Sequence, residues 1–272
     1  MTAGMENRSI TFTHALCRAP AASVTEGLRA VDQGDPDPMA FAREHAAYVT
    51  ALRATGATVT VLPALEHFPD SVFIEDPALV LNGVAIMLRP GAPSRAGEAA
   101  ALRPDLVRHC AGVIDLPEGA VDGGDILCSD TEAMVGLSAR TDRAGIAALR
   151  PLVEDLGYRL RLVETPPEIL HFKTESSLLD PETILATPRL AATGCFDGYR
   201  VIETAEGEAA AANAIRFNAP VLLSAGFPHT AERLTHAGYE VVELATTQAA
   251  LVDGGLSCMS LRYAIPDGRG AT

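Results

Sequence analysis

One order of elements is written five times along this chain, and that repetition limits the folds open to it more than any other feature. Between Ala78 and Leu88, two apolar runs flank Asn82-Gly83, a strong hairpin signal, and helix-forming "SRAGEAAALRPDLVRHC" follows as far as Gly112. "DILCSDTEAMVGLS" reads as a second hairpin, succeeded by the helix "DRAGIAALRPLVEDLG" and the strand "YRLRLVE". "SSLLDPETILAT" turns at Asp180-Pro181 and leads through the short helix "PRLAATG" to the strand "YRVIE". "AIRFNAPVLLSAG" turns at Asn218-Ala219, ahead of "HTAERLTHAG" and "YEVVEL". The remaining copy is split between the two ends. "SITFTHALC", a helix from Asp37 to about Thr55 and "ATVTVL" open the chain, while "CMSLRY" supplies a last strand with nothing after it to pair with. In that first helix Asp37 can cap and Pro38 suits the first turn. Ala42, Ala46, Val49 and Leu52 fall on one face, and Gly56 ends the helix.

Joining the two ends makes five copies of hairpin, helix and strand, with a period of roughly 40 to 50 residues, the range of propellers and arrays. The reading is therefore α/β: a five-unit α/β propeller with pseudo-fivefold symmetry around a central site, closed by pairing the last strand with the first so that exposed sheet edges disappear. An open doubly wound sheet requires plain β-α-β alternation, which these hairpins interrupt, and no Gly-x-Gly-x-x-Gly follows a strand. With 272 residues, 48% of them hydrophobic, the chain can fill one large core. The expectation is a single domain over 1–272, with about 264–272 as a C-terminal tail.

"MTAGMENRSITFTH" lacks the apolar core of a signal peptide and no apolar run is long enough to span a bilayer, so the expected location is cytoplasmic, with no membrane partner. A net charge of −14 disfavours nucleic acid and attracts a cationic small molecule, although acidity of this kind also serves solubility. Five scattered cysteines without a C-x-x-C pair indicate free thiols and neither a disulfide framework nor a zinc ribbon. His45, His67, His109, His229 and His236 lack metal-ligand spacing and read as surface or structural residues. Cys17, Cys110, Cys128 and Cys195 likewise stand without acid or base neighbours.

Val-Asp-Gly-Gly occurs twice, at 121–124 and at 252–255, and only the second copy is followed by a thiol, Cys258. In a ring the two turns are equivalent: glycine lets the backbone crowd the axis, and the thiol projects into the shared centre. "FPDSVFIEDPALV" carries Asp70, Glu75 and Asp76 within a strongly apolar, strand-like stretch; they read either as solvated acids at a strand end or as a wall that binds a cation. His171 in "ILHFKTESSLL" reads as sitting at a strand end, and by itself a histidine on an apolar stretch is more often a satisfied core residue than a catalyst. Cys258 alone is equally consistent with a small buried hydrophobe. Together, a thiol, an imidazole and carboxylates from separate strands supply a nucleophile, an acid/base and a cation site.

Six stretches in order, "FPDSVFIEDP", "RPGAPSRAGE", "DGGDIL", "GLSARTD", "HFKT" and "DGGLSCMSLRY", resemble those of the dimethylarginine dimethylaminohydrolases, members of the guanidino-group-modifying (pentein) superfamily. The resemblance runs from "THALCRAPAASVTEGL" to Tyr263, and its fold is the five-unit propeller reached from the repeat. It implies Cys258 as nucleophile and His171 as general acid and base. It also implies Asp122 as the carboxylate supporting His171 and the guanidinium, with Glu75 and Asp76 binding the guanidinium. By the same likeness Asp70 and the carbonyl of Leu28 meet the α-amino group, while Arg95 and Arg140 hold the α-carboxylate. Some family members have Glu where Asp122 stands, which leaves its preferred partner open.

The implied reaction is hydrolysis of asymmetric dimethylarginine to citrulline and dimethylamine through a covalent cysteine thiouronium, without cofactor or metal. The ligand is a small cationic arginine derivative, and a homodimer is possible. The acidic "DQGDPDP" resembles the family's lid over the substrate, with Gly34 allowing movement. With Asp122, Glu75 and Asp76 around it and no cation or helix N-terminus, Cys258 is expected to rest as a protonated thiol. The alternatives are a hydrolase for another substituted arginine, arginine or agmatine, or a non-catalytic binding protein on the same scaffold. Retention of the thiol, histidine and acids in one chain argues against the last.

Overall fold

The computed structural model describes residues 8–265. The chain forms five three-stranded sheets, and in each the middle strand pairs antiparallel with the first and parallel with the third. In chain order, β1 (His14–Arg18), α1 (Pro38–Ala54) and β2 (Thr58–Leu62) begin the first unit. β3 (Ala78–Leu81), β4 (Val84–Met87), α2 (Glu98–His109) and β5 (Gly112–Asp115) make the second. β6 (Ile126–Cys128), β7 (Glu132–Leu137), α3 (Arg143–Asp155) and β8 (Arg159–Glu164) make the third. β9 (Ser176–Asp180), β10 (Thr183–Ala186), α4 (Pro188–Ala191) and β11 (Arg200–Glu203) form the fourth, and β12 (Ile215–Arg216), β13 (Val221–Ser224), α5 (Pro228–His236) and β14 (Val241–Leu244) the fifth. After a short α6 (Thr247–Ala250), β15 (Leu261–Tyr263) returns to β1, pairing His14 with Tyr263 and Leu16 with Leu261. The ring closes through its two chain ends, as the repeat requires.

Local chemistry explains the elements. Asn82 and Gly83 both have positive φ (51° and 78°), the two-residue turn whose twist matches a β-hairpin. Asp37 caps α1 by accepting from the Met39 and Ala40 amides at 2.8 and 3.2 Å, with Pro38 behind it. The buried face of α1 differs from the expected one: Phe41, His45, Tyr48, Val49 and Leu52 point inward, and Ala42 and Ala46 are exposed. The aromatic pair buries far more area than two alanine methyls, so the helix turns that side to the core, where Tyr48 meets Ser260 Oγ at 2.6 Å.

One apolar cluster joins α1 to the fifth unit through Phe41, Leu52, Phe217 and Leu222, while another packs Ile86 of the second unit against Ile126 and Leu149 of the third. At the C-terminal end, Ala264 and Ile265 follow β15 and the Ile265 amide donates to Thr13 Oγ1 at 3.0 Å; the rest of the expected tail lies outside the described residues.

Three segments depart from the strand reading. The acidic stretch before Ala78 is a string of turns, closed by Ser71 N to Phe68 O, Phe73 N to Asp70 O and Asp76 N to Phe73 O. Val72, Phe73 and Ile74 are buried there because the coil runs through the interior. His171 caps a single 3-10 turn, Phe172–Thr174, and Cys258 lies in another, Ser257–Met259. Gly123–Asp125 and Ala209–Ala212 form comparable turns ahead of β6 and β12. Four units thus enter their first strand through a 3-10 turn near the axis, and the second enters through the acidic coil.

This crowding is what the Asp-Gly-Gly pairs permit. A Cβ on Gly123 would lie 2.0 Å from the Glu75 carbonyl oxygen, and one on Gly254 would lie 2.2 Å from the Phe73 ring. Because the obstacle at Gly123 is backbone, Gly123→Ala should destabilise the fold by about 1–3 kcal/mol. Thermal unfolding of the variant tests this, and an unchanged Tm would contradict the close approach.

Candidate active site

The axial turns bring together residues that are far apart in sequence. Leu28, Asp70, Asp76, Arg95, Arg140, His171, Asp253 and Cys258 line one pocket of about 30 Å³. Every substrate contact inferred from the resemblance therefore reaches this pocket except Glu75, while Asp122 stands directly behind His171.

Asp122 is fully buried; its Oδ2 is 2.9 Å from His171 Nε2 and its Oδ1 accepts from the Gly91 amide at 2.7 Å. Both oxygens are engaged, and the shorter side chain reaches the histidine. The same turn carries Asp125, a residue sequence reasoning passed over. Its Oδ1 accepts from the Phe172 amide at 2.9 Å and its Oδ2 from the Ser138 and Thr141 hydroxyls at 2.6 Å, anchoring the turn that bears His171. The divergence of the two copies, Asp-Gly-Gly-Asp against Asp-Gly-Gly-Leu, was the signal available for it.

Asp76 pairs with Arg95 and accepts from the Gly124 amide at 3.0 Å. Arg95 is buried and also bonds Glu98 at 2.7 and 3.0 Å and the carbonyl oxygens of Asp70 and Phe73. It lines the pocket, but its guanidinium is already held by two carboxylates, an arrangement that differs from a fork awaiting a ligand's carboxylate. Arg140 is half-buried, and among the described residues its guanidinium has no side-chain ion pair or hydrogen bond. Asp70 Oδ1 accepts from the Leu28 amide at 3.0 Å.

Glu75 departs from its expected place. Its Oε1 pairs at 2.6 Å with both Lys173 and Arg262, and the side chain lines a separate cavity of about 470 Å³. Lys173 and Arg262 were not anticipated as its partners; a carboxylate buried this deeply needs a counter-charge, and two cations from other turns supply it. Glu75 still touches the site through its backbone, the amide donating to the Cys258 carbonyl at 3.1 Å.

The acids raise the proton affinity of both candidate catalytic groups. Cys258 is pushed up to about 11, first by burial and then by the charges of Glu75 and Asp76. Burial works against charge on His171, yet the Asp122 hydrogen bond and the charges of Asp76 and Asp125 prevail and hold it at about 9. At neutral pH the resting pair is thus thiol and imidazolium. Burial raises Asp70, while Arg95 overcomes burial to keep Asp76 low. Ligand atoms of Asp76, Asp122 and His171 lie within 4.8 Å of one another, but Arg95, Gly124 and Gly91 already satisfy the two acids without an ion.

The fold is that of the five-unit α/β propellers, and the thiol, imidazole and carboxylates at its axis make a candidate centre for covalent catalysis. Residues 38–170 match the family model of eukaryotic N,N dimethylarginine dimethylhydrolase. The N(G),N(G)-dimethylarginine dimethylaminohydrolase of Pseudomonas aeruginosa is 37% identical over 254 residues, 93% of this chain and 100% of the relative. A solved structure of that organism's enzyme, a cysteine-to-serine mutant complexed with citrulline, has a TM-score of 0.90 at 36% identity and covers 93% of this chain and 100% of its own. The N-terminal domain of ArgZ, a cyanobacterial arginine dihydrolase, shares the fold at a TM-score of 0.82 and 18% identity, over 93% of this chain and 98% of its own. The chain belongs to the dimethylarginine dimethylaminohydrolase family.

The His171 pair has a definite pH signature. Its folded pKa, about 9, lies above the ordinary 6.5, so its contribution to stability is fully present below about pH 6.5 and is lost as pH rises through about 9. Asp122→Asn should bring the His171 titration down toward 6.5 and flatten the stability slope across that window. NMR titration and urea unfolding between pH 6 and 10 check it; an unchanged slope would assign the effect elsewhere.

Proposed function

We propose that this protein hydrolyses Nω-methylated arginine, converting asymmetric dimethylarginine to citrulline and dimethylamine with Cys258 as nucleophile. The observation that carries the reading is the convergence of Cys258, the His171–Asp122 pair, Asp76 and Arg140 on one pocket, in a chain aligned along its length with a named dimethylarginine dimethylaminohydrolase. The reading treats 1–272 as one cytoplasmic catalytic domain; no helix among the described residues is long and apolar enough to cross a membrane.

At about 30 Å³ the pocket is smaller than an arginine, and in this reading the loop around Leu28, next to the stretch that resembles the family's lid, opens for entry. That loop is tied down by the Ala30 amide donating to Asp253 Oδ2 at 2.5 Å and by the Leu28 amide donating to Asp70 Oδ1 at 3.0 Å. On closure, Asp76 faces the guanidinium, Asp70 and the Leu28 carbonyl meet the α-amino group, and Arg140 holds the α-carboxylate. The substrate's positive charge offsets Glu75 and Asp76, lowers the thiol pKa and releases its proton to solvent. The sulfur then attacks the central guanidinium carbon, and the His171 imidazolium protonates the departing dimethylamine. Neutral His171 next takes a proton from water, whose oxygen attacks the thiouronium; collapse expels the sulfur and leaves the ureido group.

Two measurements test this. Arg140→Ala should raise KM for dimethylarginine by about 10- to 100-fold with a smaller change in kcat, since a charge-assisted hydrogen bond contributes about 1.5–3 kcal/mol. Dimethylagmatine, which lacks the carboxylate, should be a poor substrate for the wild type and indifferent to the substitution; equal turnover of both compounds would refute the assignment. Second, relative to a simple thiol, a cationic haloamidine should alkylate Cys258 far faster than iodoacetamide does, and Asp76→Asn should narrow that preference. Equal relative rates would remove substrate-assisted ionisation from the mechanism.

A further inference from the structure

Each of the five units places a side chain at the axis within a few residues of its first strand. Asp76 comes from the second unit, Asp122 from the third, His171 from the fourth and Cys258 from the first. The fifth contributes Asn213, which ends the 3-10 turn Ala209–Ala212 and precedes β12. It is buried, with 8% of its surface exposed. Its Oδ1 accepts from the Ser257 amide at 3.0 Å, and its Nδ2 lies 4.0 Å from Cys258 Sγ. Because a backbone N–H can only donate, the Ser257 contact determines which end of the carboxamide is oxygen and thereby aims the NH2 group at the sulfur. The neighbouring backbone makes room for it: a Cβ on Gly255 would lie 2.6–2.8 Å from the Asn213 carboxamide atoms. The second Asp-Gly-Gly turn thus omits a side chain where Asn213 approaches.

We propose that Asn213 is a positioning residue for the nucleophile, its Oδ1 holding the turn at Ser257 while its Nδ2–H supports negative charge on Cys258 Sγ. The inference rests on Cys258 being the nucleophile. The surroundings show why such a donor matters. Glu75 and Asp76 oppose a thiolate. Asp70 and Asp253 add acidic groups to the pocket wall, and Asp122 and Asp125 stand around His171. Of the cations, Arg95 is held by Asp76 and Glu98, whereas Lys173 and Arg262 are held by Glu75; Arg140 lines the pocket but is not among the groups that shift Cys258. Support for the ionised sulfur therefore falls to neutral donors: the Gly255 amide, the Ser257 hydroxyl at 3.9 Å and, by its geometry, the Asn213 amide at 4.0 Å. A neutral dipole stabilises the thiolate without repelling an incoming guanidinium, which a lysine or arginine at this position would do. The 4.0 Å separation is long; charge-assisted hydrogen bonds are shorter, and in this proposal the contact tightens as charge develops on the sulfur.

The test is alkylation of ligand-free protein by neutral iodoacetamide as a function of pH, alongside steady-state turnover. Asn213→Ala removes the donor without adding charge, so the rate constant at pH 8 should fall about 10-fold and the apparent thiol pKa should rise by about one unit. If Asn213 merely braces the turn, its loss loosens the site and exposes the sulfur; alkylation then quickens or stays the same, and the proposal is overturned. Asn213→Asp retains the acceptor for Ser257 and replaces the donor by an anionic oxygen. It should slow alkylation further and depress kcat by about 100-fold with KM changed less than about threefold. Should the alanine variant not fold, the aspartate variant carries the test, and wild-type alkylation rates in it would overturn the proposal. Iodoacetamide needs no substrate: failure of the wild type to hydrolyse dimethylarginine would strike the functional reading alone, and unchanged alkylation in an active enzyme would strike Asn213 alone.

Discussion

The pairing of β15 with β1 is the contact on which the site depends. It is short, with Leu261, Arg262 and Tyr263 lying opposite Leu16, Ala15 and His14, yet it joins the two ends of the chain and turns four complete units and one split unit into a ring. Closure removes two sheet edges and brings the turn carrying Cys258 to the same axis as those carrying Asp122 and His171. Glycine at 123, 124, 254 and 255 makes the approach sterically open, since a Cβ at any of them would meet a neighbouring axial residue within 3.0 Å.

A ring that gathers turns also gathers carboxylates, and much of the interior is arranged to make their burial tolerable. Asp76 shares Arg95 with Glu98, and Glu75 shares Lys173 and Arg262. Asp125 relies on two hydroxyls and an amide, while Asp122 relies on an amide and His171. These partners keep the acids buried without cancelling their field at the centre, where thiol and imidazole are both held protonated. That resting state is coherent with the proposed reaction of a cationic substrate, in which the proton donor is already loaded and the nucleophile is released by the ligand's own charge.

The equivalent turns show how a repeat acquires distinct functions. Asp122 bonds His171, whereas its counterpart Asp253 reaches outward to the amide of Ala30 in the loop over the pocket. Asp125 anchors the His171 turn, and the corresponding Leu256 packs into the core beside Phe41 and Val72. The third residue after the paired glycines is Leu127 in one copy and Cys258 in the other. The shared backbone geometry sets where each turn lies, and the side chains divide the tasks.

The repeat, the hairpin turns and the cap of α1 were legible in sequence because each depends on neighbours only a few residues apart: Asn82-Gly83 sets its own backbone, and Asp37 caps amides two and three positions on. The candidate residues were legible as an ordered set of motifs, since the chemistry of a thiol, an imidazole and carboxylates follows from residue type. Their division of labour was not. Whether Glu75 faces the pocket or Lys173, whether Arg95 awaits a ligand or holds Asp76, and whether Asn213 touches anything at all depend on contacts spanning 19 to 187 residues. The acidic coil misread as a strand has the same origin, because its apolar residues are buried by the ring around it rather than by a sheet of their own. Local backbone preference is encoded within a few residues, whereas the partner of a buried charge is decided only when the ring closes and brings the available counter-charges within reach.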